Sequence, residues 1–411
     1  MLSRKRSREL AMLLVCIVSL ALLLTPPRAA AQETVLYNFT GGSDGANPEA
    51  PLVSDSSGNL YGTTLNGGNY SAGAVFELSP QTGGGWSETV LHSFAGGSDG
   101  TNPWAGVIFD AAGNLYGTTY GGGTYNFGTV FELSPQAGGG WTETVLHNFK
   151  AGDGQQPTGG LVLDTAGNLY GTTQQGGAFG EGVVFELSQS GGAWTETVLH
   201  SFNPSGLDGQ VPSCTLIFDS AGNLYGTTGS GGSGGGGTIF ELSPSSGGSW
   251  TERRLANFKH STTDPYYPAA GVVLDAAGNL YTTTAFGGSY SVGTVIELSP
   301  KTGGGWTTKV IHNFNGTDGV EPFDSLIVDS AGNLYGTTYF GGANGGGVAF
   351  ELLPRTGGVW MERVLHSFAC SSTSNCGEPY AGLTFDPSGN LYGATTRDGT
   401  DSHGTVFKIA H

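Results

Sequence analysis

Gly58-Asn59-Leu60-Tyr61 is the first copy of a four-residue string, GNLY, that recurs along the whole chain. The copies are spaced by about 55 residues, and their Asn residues are Asn59, Asn114, Asn168, Asn223, Asn279, Asn333 and Asn390. Each unit contains four short segments rich in Val, Leu, Phe, Tyr and Thr, separated by Gly, Pro, Asp or Asn, a pattern typical of antiparallel strands. A unit of this length repeated in tandem predicts one repeat array rather than two or three separate domains.

The segments of one unit show how the pattern works. They are TVLHNF ending at Phe149, LVLD ending at Asp164, NLYGTT ending at Thr173 and VVFELS ending at Ser188. An Asp-x-x-Gly-Asn link joins the second of these segments to the third. A short Asp side chain bonds to the backbone that opens such a turn, and Gly supplies a positive φ, so the repeated Asp is predicted to be structural.

Two architectures use modules of this kind, the parallel β-helix and the β-propeller. The period is close to the roughly 40 to 50 residues of propeller repeats, and seven units fall within the usual range of about four to eight blades. The sequence therefore predicts an all-β fold, a seven-bladed β-propeller of four-stranded antiparallel blades.

The two ends of the repeat predict how the ring closes. The chain begins with an outer-strand segment, 34–39, and ends with a third-strand segment, 405–409, so the repeat is offset by one strand. We expect the N-terminal strand to join the last blade and complete it. Tryptophan supports this offset, because a Trp precedes every outer strand except the first: Trp86, Trp141, Trp194, Trp250, Trp306 and Trp360.

The first 31 residues differ from the repeat array. Basic residues at positions 4–8 precede an apolar run that ends at Leu24, and Ala29 to Ala31 supply a small-residue cleavage pattern. This predicts a secretory signal peptide over 1–31, cleaved near Ala31, and a single propeller domain over 32–411. A retained N-terminal anchor is the alternative. The expected location is secreted or periplasmic.

Charge narrows the class of partner. Without residues 1–31, 10 basic residues face 32 acidic ones, which gives a net charge of −22. Such a surface repels phosphate backbones and anionic lipids, so binding to nucleic acid or to a membrane surface is not expected. No second apolar segment follows the first, so no membrane insertion after cleavage is expected. A neutral glycan or a surface protein remains as a partner. We expect a monomer without a cofactor.

Cysteine spacing predicts a crosslink but no metal centre. Cys370 and Cys376 bracket a short loop, and an exported protein meets oxidising conditions, so a disulfide between them is predicted. Cys214 is left over at the start of an apolar segment and is predicted to be a buried free thiol. No spacing of Cys, His, Asp or Glu indicates a metal site.

The strings GNLYGTT, GTVFELSP, GGWTETVLHSF and DGxxPxAGL resemble the GloVer tandem-repeat proteins, a family of exported bacterial proteins. The resemblance spans the chain after the signal segment. It implies a propeller-like layout, and it brings no catalytic residue to any position of this sequence.

Ligands usually bind propellers on the face that carries the longer loops, around the mouth of the channel. On that face the residue after the repeated Pro varies by blade, and it is aromatic at Trp104, Phe323 and Tyr380, with Tyr266 and Tyr267 nearby. Exposed rings clustered beside a channel suit stacking on sugars, so these five residues are ligand-binding candidates. The alternative is that they pack between blades.

Two groups of polar residues are of a type that can take part in catalysis. The recurrent His residues lie on outer strands, far from each other, and His147 is predicted to bond within its blade opposite Thr129. The irregular loop RDGTDSH of the last unit places carboxylates beside basic groups that suit acid and base work. Its weak catalytic candidates are Arg397, Asp398, Asp401 and His403.

These observations favour a non-catalytic binding or interaction propeller that recognises glycans or other surface components. A propeller-type glycoside hydrolase or lyase and a purely structural surface protein are the alternatives. An asymmetric acidic pocket at the channel mouth would favour the enzyme, an aromatic arc with little acid nearby would favour glycan binding, and a featureless face would favour a structural protein.

Overall fold

The structure is a computed structural model that describes residues 32–205, 207–372 and 375–411. The predicted signal peptide lies outside these residues. Seven antiparallel sheets, one for each repeat, form a ring and confirm the predicted seven-bladed β-propeller. Blades are numbered here by their innermost strands, from the N-terminus to the C-terminus. Within the described residues the only helix is a single 3-10 turn, Gly97–Asp99.

Each blade contains four strands, ordered from the channel outwards. The innermost strands are Val53–Ser54, Ile108–Phe109, Val162–Leu163, Ile217–Phe218, Val273–Leu274, Ile327–Val328 and Thr384–Phe385. The second strands are Leu60–Thr64, Leu115–Thr119, Leu169–Thr173, Leu224–Thr228, Leu280–Thr284, Leu334–Thr338 and Leu391–Thr395. The third strands are Ala74–Pro80, Thr129–Pro135, Val183–Ser190, Gly235–Pro244, Thr294–Pro300, Gly345–Arg355 and Thr405–Ile409. The outer strands are Trp86–Ser93, Trp141–Asn148, Ala193–Ser201, Trp250–Lys259, Trp306–Asn313, Val359–Ser372 and, for blade 7, Glu33–Asn38. Short additional strands in the loops are Gly209–Gln210, Ser230–Gly231 and Asn375–Cys376.

The N-terminal strand closes the ring as predicted. Glu33–Asn38 pairs antiparallel with Thr405–Ile409, so the first strand of the chain is the outer strand of the last blade. Phe39 follows it, is fully buried and packs edge-on against Phe76 of blade 1. The closing strand is therefore held both by its ladder and by the core between blades 7 and 1.

The turns between innermost and second strands explain the repeated Asp and the GNLY string together. In blade 4 the Asp219 carboxylate accepts the backbone N–H groups of Ala221 (2.8 Å) and Asn223 (2.9 Å). It also accepts the Asn223 side-chain amide (2.8 Å) and the Tyr225 hydroxyl (3.0 Å). Burial opposes ionisation of Asp219, yet these hydrogen bonds hold its pKa below the usual value. The same four bonds recur in every blade, so this Asp is structural.

The core lies between neighbouring blades, and one departure from the repeat shows how tightly it is packed. The Gly of LYGTT faces a Phe of the third strand, and a Cβ on Gly117 would lie 2.5 Å from the Phe131 ring. Blade 5 has Thr282 at the Gly position. It also has Ile296 where the other blades have Phe, so the smaller branched side chain makes room for the Thr.

One prediction about the outer strands is wrong. His147 lies opposite Val130 rather than Thr129, because Leu146 forms a β-bulge that shifts the register by one residue. Its partner is Asp153 in the loop that leads to the next blade, with 3.6 Å between Nε2 and Oδ2. Equivalent pairs are His92 with Asp99, His200 with Asp208 and His312 with Asp318, whereas His366 pairs with Glu33.

The loops divide between two faces of the ring. The upper face carries the loops from outer to innermost strands and from second to third strands. The lower face carries the Asp-x-x-Gly-Asn turns and the turns from third to outer strands. Cys370 and Cys376 are joined by a disulfide in the upper loop before blade 7, and the thiol of Cys214 is free and buried.

Candidate functional site

A repeated backbone kink directs the upper loops into the channel. In every blade the residue before the repeated Pro has a positive φ, between 46° and 60°, although none is Gly: Asn47, Asn102, Gln156, Val211, Tyr267, Glu321 and Glu378. This conformation is unfavourable for side chains such as Val, and it persists where surrounding bonds fix it. The Tyr267 N–H donates to the Gly236 carbonyl of the preceding blade, and its own carbonyl accepts from Ala285 N–H. The kink is thus a scaffold feature.

The residues that follow this Pro meet at the mouth of the channel. All seven line one cavity, which contains about 660 Å³ of empty space including its open mouth. They are Glu49, Trp104, Thr158, Ser213, Ala269, Phe323 and Tyr380. Blades 3, 4 and 5 contribute small neutral side chains, whereas blades 1, 2, 6 and 7 contribute a carboxyl group and three rings. The mouth is therefore asymmetric despite the symmetry of the scaffold.

The rings of the mouth form a continuous arc. Phe323 stacks on Tyr380 with 5.4 Å between centroids, and Tyr380 meets Trp104 edge-on at 6.4 Å. Phe286 joins Phe323 to Tyr267, which also lines the cavity. Each ring is partly exposed, so the arc packs on itself and still presents apolar surface to the channel.

Three further rings, those of Tyr266, Tyr120 and Tyr339, lie beside the arc. Tyr266 contacts His260 and Phe286 and packs against a core cluster rather than lining the cavity. Tyr120 contacts Trp104, and Tyr339 contacts both Phe323 and Tyr380. Tyr120 and Tyr339 occupy the position directly after the second strand, which sequence reasoning did not single out.

Carboxyl groups lie within the same mouth. Glu49 lines the cavity, and within the described residues it makes no hydrogen bond. Burial raises the pKa of Glu49 to about 7. The positive charge of Arg397 lowers this pKa, and the negative charge of Glu378 raises it further. Asp324 lies one position deeper, where the other blades have Ala, Gly or Cys.

Asp324 lies deep in the channel and is partly reached by solvent through it. Its carboxylate accepts the backbone N–H groups of Ser325 and, from the neighbouring blade, Gly382. Burial raises the pKa of Asp324 to about 6, although these two bonds favour the ionised form. Burial raises the pKa of Tyr380, and the negative charges of Glu49 and Asp324 raise it further, so this phenol stays neutral.

A third carboxyl group, that of Glu378, is paired. Glu378 is buried, accepts the Tyr339 hydroxyl at 2.9 Å and lies 3.4 Å from Arg397 Nη1. Of the candidates in the RDGTDSH loop, Arg397 is the one whose charge acts on a carboxyl group that lines the mouth, Glu49. It neutralises Glu378 and biases Glu49 towards its ionised form.

The other three candidates of that loop lie elsewhere. Asp398 accepts the N–H of Gly399, and its pKa is raised by burial. Asp401 is exposed and accepts the Thr400 hydroxyl. The ring of His403 lies against Gly41, where a Cβ would collide with it. Among the described residues, no contact joins these three side chains to each other or to Arg397.

Across 32–205, 207–372 and 375–411, no cluster of three or more His, Cys, Asp or Glu side chains is arranged to hold a metal ion. None of the helical structure in these ranges has the length and apolar character of a membrane span.

Comparison with known proteins identifies the family. The model of the Gloeobacter/Verrucomicrobia repeat matches residues 24–216, 138–303 and 215–411. The chain belongs to this repeat family. A search of curated protein sequences finds no match.

Several solved structures are similar in fold. One is a candidate 6-phosphogluconolactonase from Bacteroides uniformis, at 16% identity over 76% of this chain and 83% of that chain, with a TM-score of 0.49. Another is a candidate oxidoreductase of the glucose dehydrogenase type from Thermus thermophilus, at 18% identity over 75% and 96%, with a TM-score of 0.42. A protein of unknown function from Dyadobacter fermentans has 11% identity over 93% and 100%, with a TM-score of 0.41. At these values nothing of their activity is transferred to this chain.

Proposed function

We propose that this member of the Gloeobacter/Verrucomicrobia repeat family is an exported binding protein that takes a neutral carbohydrate into the upper mouth of its channel. The observation that carries the proposal is the arc of Trp104, Tyr380 and Phe323 around one cavity. The faces of sugar rings carry C–H groups that stack on aromatic rings, and such contacts contribute on the order of 1 kcal/mol each.

The polar groups of the mouth complement the hydroxyl groups of a sugar. Glu49 has no hydrogen-bond partner in the described residues, so its carboxyl group is available to a ligand. Thr158 lines the same cavity and has a buried hydroxyl without a partner. A buried polar atom without a partner costs free energy, and a bound hydroxyl group would remove that cost.

The charge of the protein favours a neutral ligand. The whole chain has a net charge of −18, and two carboxyl groups, Glu49 and Asp324, line the mouth. The Glu378 and Arg397 charges beside it compensate each other. An anionic sugar would meet repulsion both at a distance and at the site. Export from the cytoplasm is part of the proposal and rests on residues 1–31.

Binding to a glycan array tests the proposal. We expect wild-type protein to bind a neutral glycan, and Trp104→Ala with Tyr380→Ala to weaken binding more than tenfold, which is about 1.4 kcal/mol or more. Val359→Ala with Met361→Ala, which removes two exposed apolar side chains from an outer strand, is the matched control and should bind as wild type. Binding that is unchanged in the Trp104, Tyr380 double variant would contradict the proposal, and so would an array without a hit.

A hydrolase or lyase is the second candidate function. It is favoured by Glu49 and Asp324, two carboxyl groups whose pKa values are raised to about 7 and about 6 within one cavity. Groups that titrate near neutral pH can donate and accept protons during cleavage. Incubation of each bound glycan with wild type, Glu49→Gln and Asp324→Asn, followed by mass spectrometry, separates the two functions. Product from wild type alone identifies an enzyme, and intact glycan in all three identifies a binding protein.

A further inference from the structure

A second set of aromatic residues lies at the rim of the upper face, away from the channel. The loops between second and third strands carry them at one equivalent position in four blades: Tyr70, Tyr125, Phe179 and Tyr290. These side chains are 51–64% exposed, which makes them among the most exposed apolar side chains of the protein. Blades 4, 6 and 7 have Gly234, Asn344 and Asp401 at this position. We call Tyr70, Tyr125, Phe179 and Tyr290 the rim aromatics.

The equivalence of these positions follows from the backbone. The next residue has a positive φ in all seven loops, from 60° to 84°: Ser71, Asn126, Gly180, Gly235, Ser291, Gly345 and Ser402. In the four aromatic loops, the residue before the ring donates its N–H to a side chain of the outer strand. These donors are Asn69, Thr124, Ala178 and Ser289, at distances of 2.8–3.3 Å. Each ring is thus presented by a fixed loop and loses little conformational entropy when it binds.

Polar groups accompany the rim aromatic of blade 1. Beside Tyr70 is a groove lined by Asn69, Ser93, His92 and Asp99, with about 780 Å³ of empty space including open solvent. His92 Nε2, from the outer strand, lies 3.0 Å from the carboxylate of Asp99 in the loop that follows it. The groove therefore combines an exposed ring with hydrogen-bonding groups.

The His–Asp pair and the rim aromatic occur in the same blades. Blades 1, 2, 3 and 5 have both, with His92, His147, His200 and His312 each facing an Asp. Blade 4 has Ala256 in place of the His. In blade 6 the His pairs with Glu33, and in blade 7 Tyr37 takes its place. The scaffold does not require this association, because blades 4, 6 and 7 form the same loop without it.

We propose that the rim aromatics and their His–Asp pairs form four equivalent binding sites for the sugar units of a neutral polysaccharide. Each ring stacks on one sugar, and the adjacent imidazole and carboxylate bond to its hydroxyl groups. The ligand class rests on the proposed function of the channel mouth, but the sites are separate. Repeated sites of one chemistry match a ligand that itself repeats, and a protein partner has no such repeat.

Several weak sites on one rigid ring bind a polymer more tightly than any one alone. Linked sites gain about 10²- to 10⁴-fold in apparent affinity without new contacts. The rim would therefore matter for a polysaccharide and hardly at all for a short fragment, which reaches a single site. This difference separates the rim from the channel mouth experimentally.

The experiment measures retention of purified full-length protein on insoluble cellulose, chitin and β-1,3-glucan, and titrates the soluble hexasaccharide of each. The rim variant is Tyr70→Ala, Tyr125→Ala, Phe179→Ala and Tyr290→Ala combined. Val359→Ala with Met361→Ala removes exposed apolar side chains from an outer strand and is the matched control. All these side chains are exposed, so every variant should remain folded, as circular dichroism would show.

We expect wild type to be retained on at least one polymer, the rim variant to bind that polymer about 100-fold more weakly, and the control to be unchanged. Retention of the rim variant like wild type, or no retention of wild type on any polymer, would overturn the proposal. A rim that serves a protein partner gives the first of these results. Failure of the channel proposal appears differently, as hexasaccharide binding that Trp104→Ala with Tyr380→Ala leaves unchanged.

Asn344→Tyr provides a gain-of-function test. Blade 6 has the His366–Glu33 pair but lacks the ring, so this substitution completes a fifth site. We expect severalfold stronger retention on the same polymer and an unchanged hexasaccharide affinity at the channel. Retention equal to wild type would count against the proposal.

Discussion

The lower and upper faces of this propeller are built from loops of the same seven blades, yet they follow opposite rules. On the lower face each Asp-x-x-Gly-Asn turn repeats the same four hydrogen bonds, as in Asp219 and Asp386. On the upper face the backbone kink repeats, but the side chain after its Pro ranges from Ala269 to Trp104. Identity among blades thus marks stability, and difference among blades marks the candidate site.

The largest loss of stability should come from removing the N-terminal strand that closes the ring. A variant without residues 32–39 loses the outer strand of blade 7 and the fully buried Phe39. We expect a loss of more than about 5 kcal/mol and no cooperative thermal unfolding by circular dichroism.

A circular permutant is the control for this deletion. It places residues 32–39 after His411 through a Gly-rich turn like those of the other blades, and it should fold. A deletion variant that melts like wild type would contradict the assignment of the closing strand.

A smaller effect is expected from a single lower turn. Asp219→Ala removes four hydrogen bonds and leaves the Asn223 amide and two backbone N–H groups without their acceptor. We expect a loss of about 2–3 kcal/mol, measured by urea unfolding, with unchanged glycan binding. Asp219→Asn keeps one acceptor oxygen and should lose less. Weakened glycan binding by folded Asp219→Ala protein would contradict the claim that the lower turns serve stability and the upper face serves binding.

The pH dependence of stability distinguishes two sets of repeated carboxyl groups, because the pKa values of one set are lowered and those of the other are raised. The turn Asp residues have lowered pKa values, so their contribution is lost as the pH falls below about 4. Outer-strand Glu residues such as Glu143 and Glu196 have pKa values raised to about 7, by burial and then by the charge of an Asp of the preceding blade. Their folded pKa lies above the unfolded value of about 4.3, so the stability they contribute is fully present below that value and is lost as the pH rises from there to about 7.

We therefore expect the melting temperature to be highest near about pH 4.5, to fall by on the order of 3 °C as the pH rises to about 7, and to change little above it. Differential scanning calorimetry across this range measures it. Glu143→Gln with Glu196→Gln should flatten the fall, since the amide cannot ionise. A melting temperature that rises from pH 6 to pH 8 in wild type would refute this account.

The smallest expected effect is a gain at the candidate site. Glu49 is half-buried without a hydrogen bond, so its ionisation at pH 8 costs stability. Glu49→Gln should raise the free energy of unfolding by on the order of 1 kcal/mol at pH 8 and by nearly nothing at pH 5. Urea unfolding at both pH values checks this, and Glu378→Gln, which loses the Arg397 pair, should be destabilising instead.

Most of the fold follows from the sequence, because turn residues and strand patterns are local signals that seven copies reinforce. The ring closure was predictable from the offset of one strand and the missing Trp. The partner of His147 was not, because the bulge at Leu146 moves the register by one residue without any local marker. The compensation of Thr282 by Ile296 likewise depends on a contact between strands.

The candidate site was only partly predictable. The variable position after Pro placed Trp104, Phe323 and Tyr380 at one mouth, as the structure shows. Asp324 was missed because it lies one residue further on, and only comparison with the Ala, Gly or Cys of other blades marks it. Glu378 was missed because a positive φ is rare for Glu and no local sequence signal predicts it. Its pairing with Arg397 was therefore not predicted.

Hydrogen–deuterium exchange with a bound oligosaccharide from the glycan array tests the division of the two faces most directly. We expect slower exchange in residues 49–51, 104–106, 323–325 and 380, which line the mouth, and no change in the lower turns at 55–59, 110–114 and 219–223. Protection of the lower turns with an unchanged upper mouth would contradict the account.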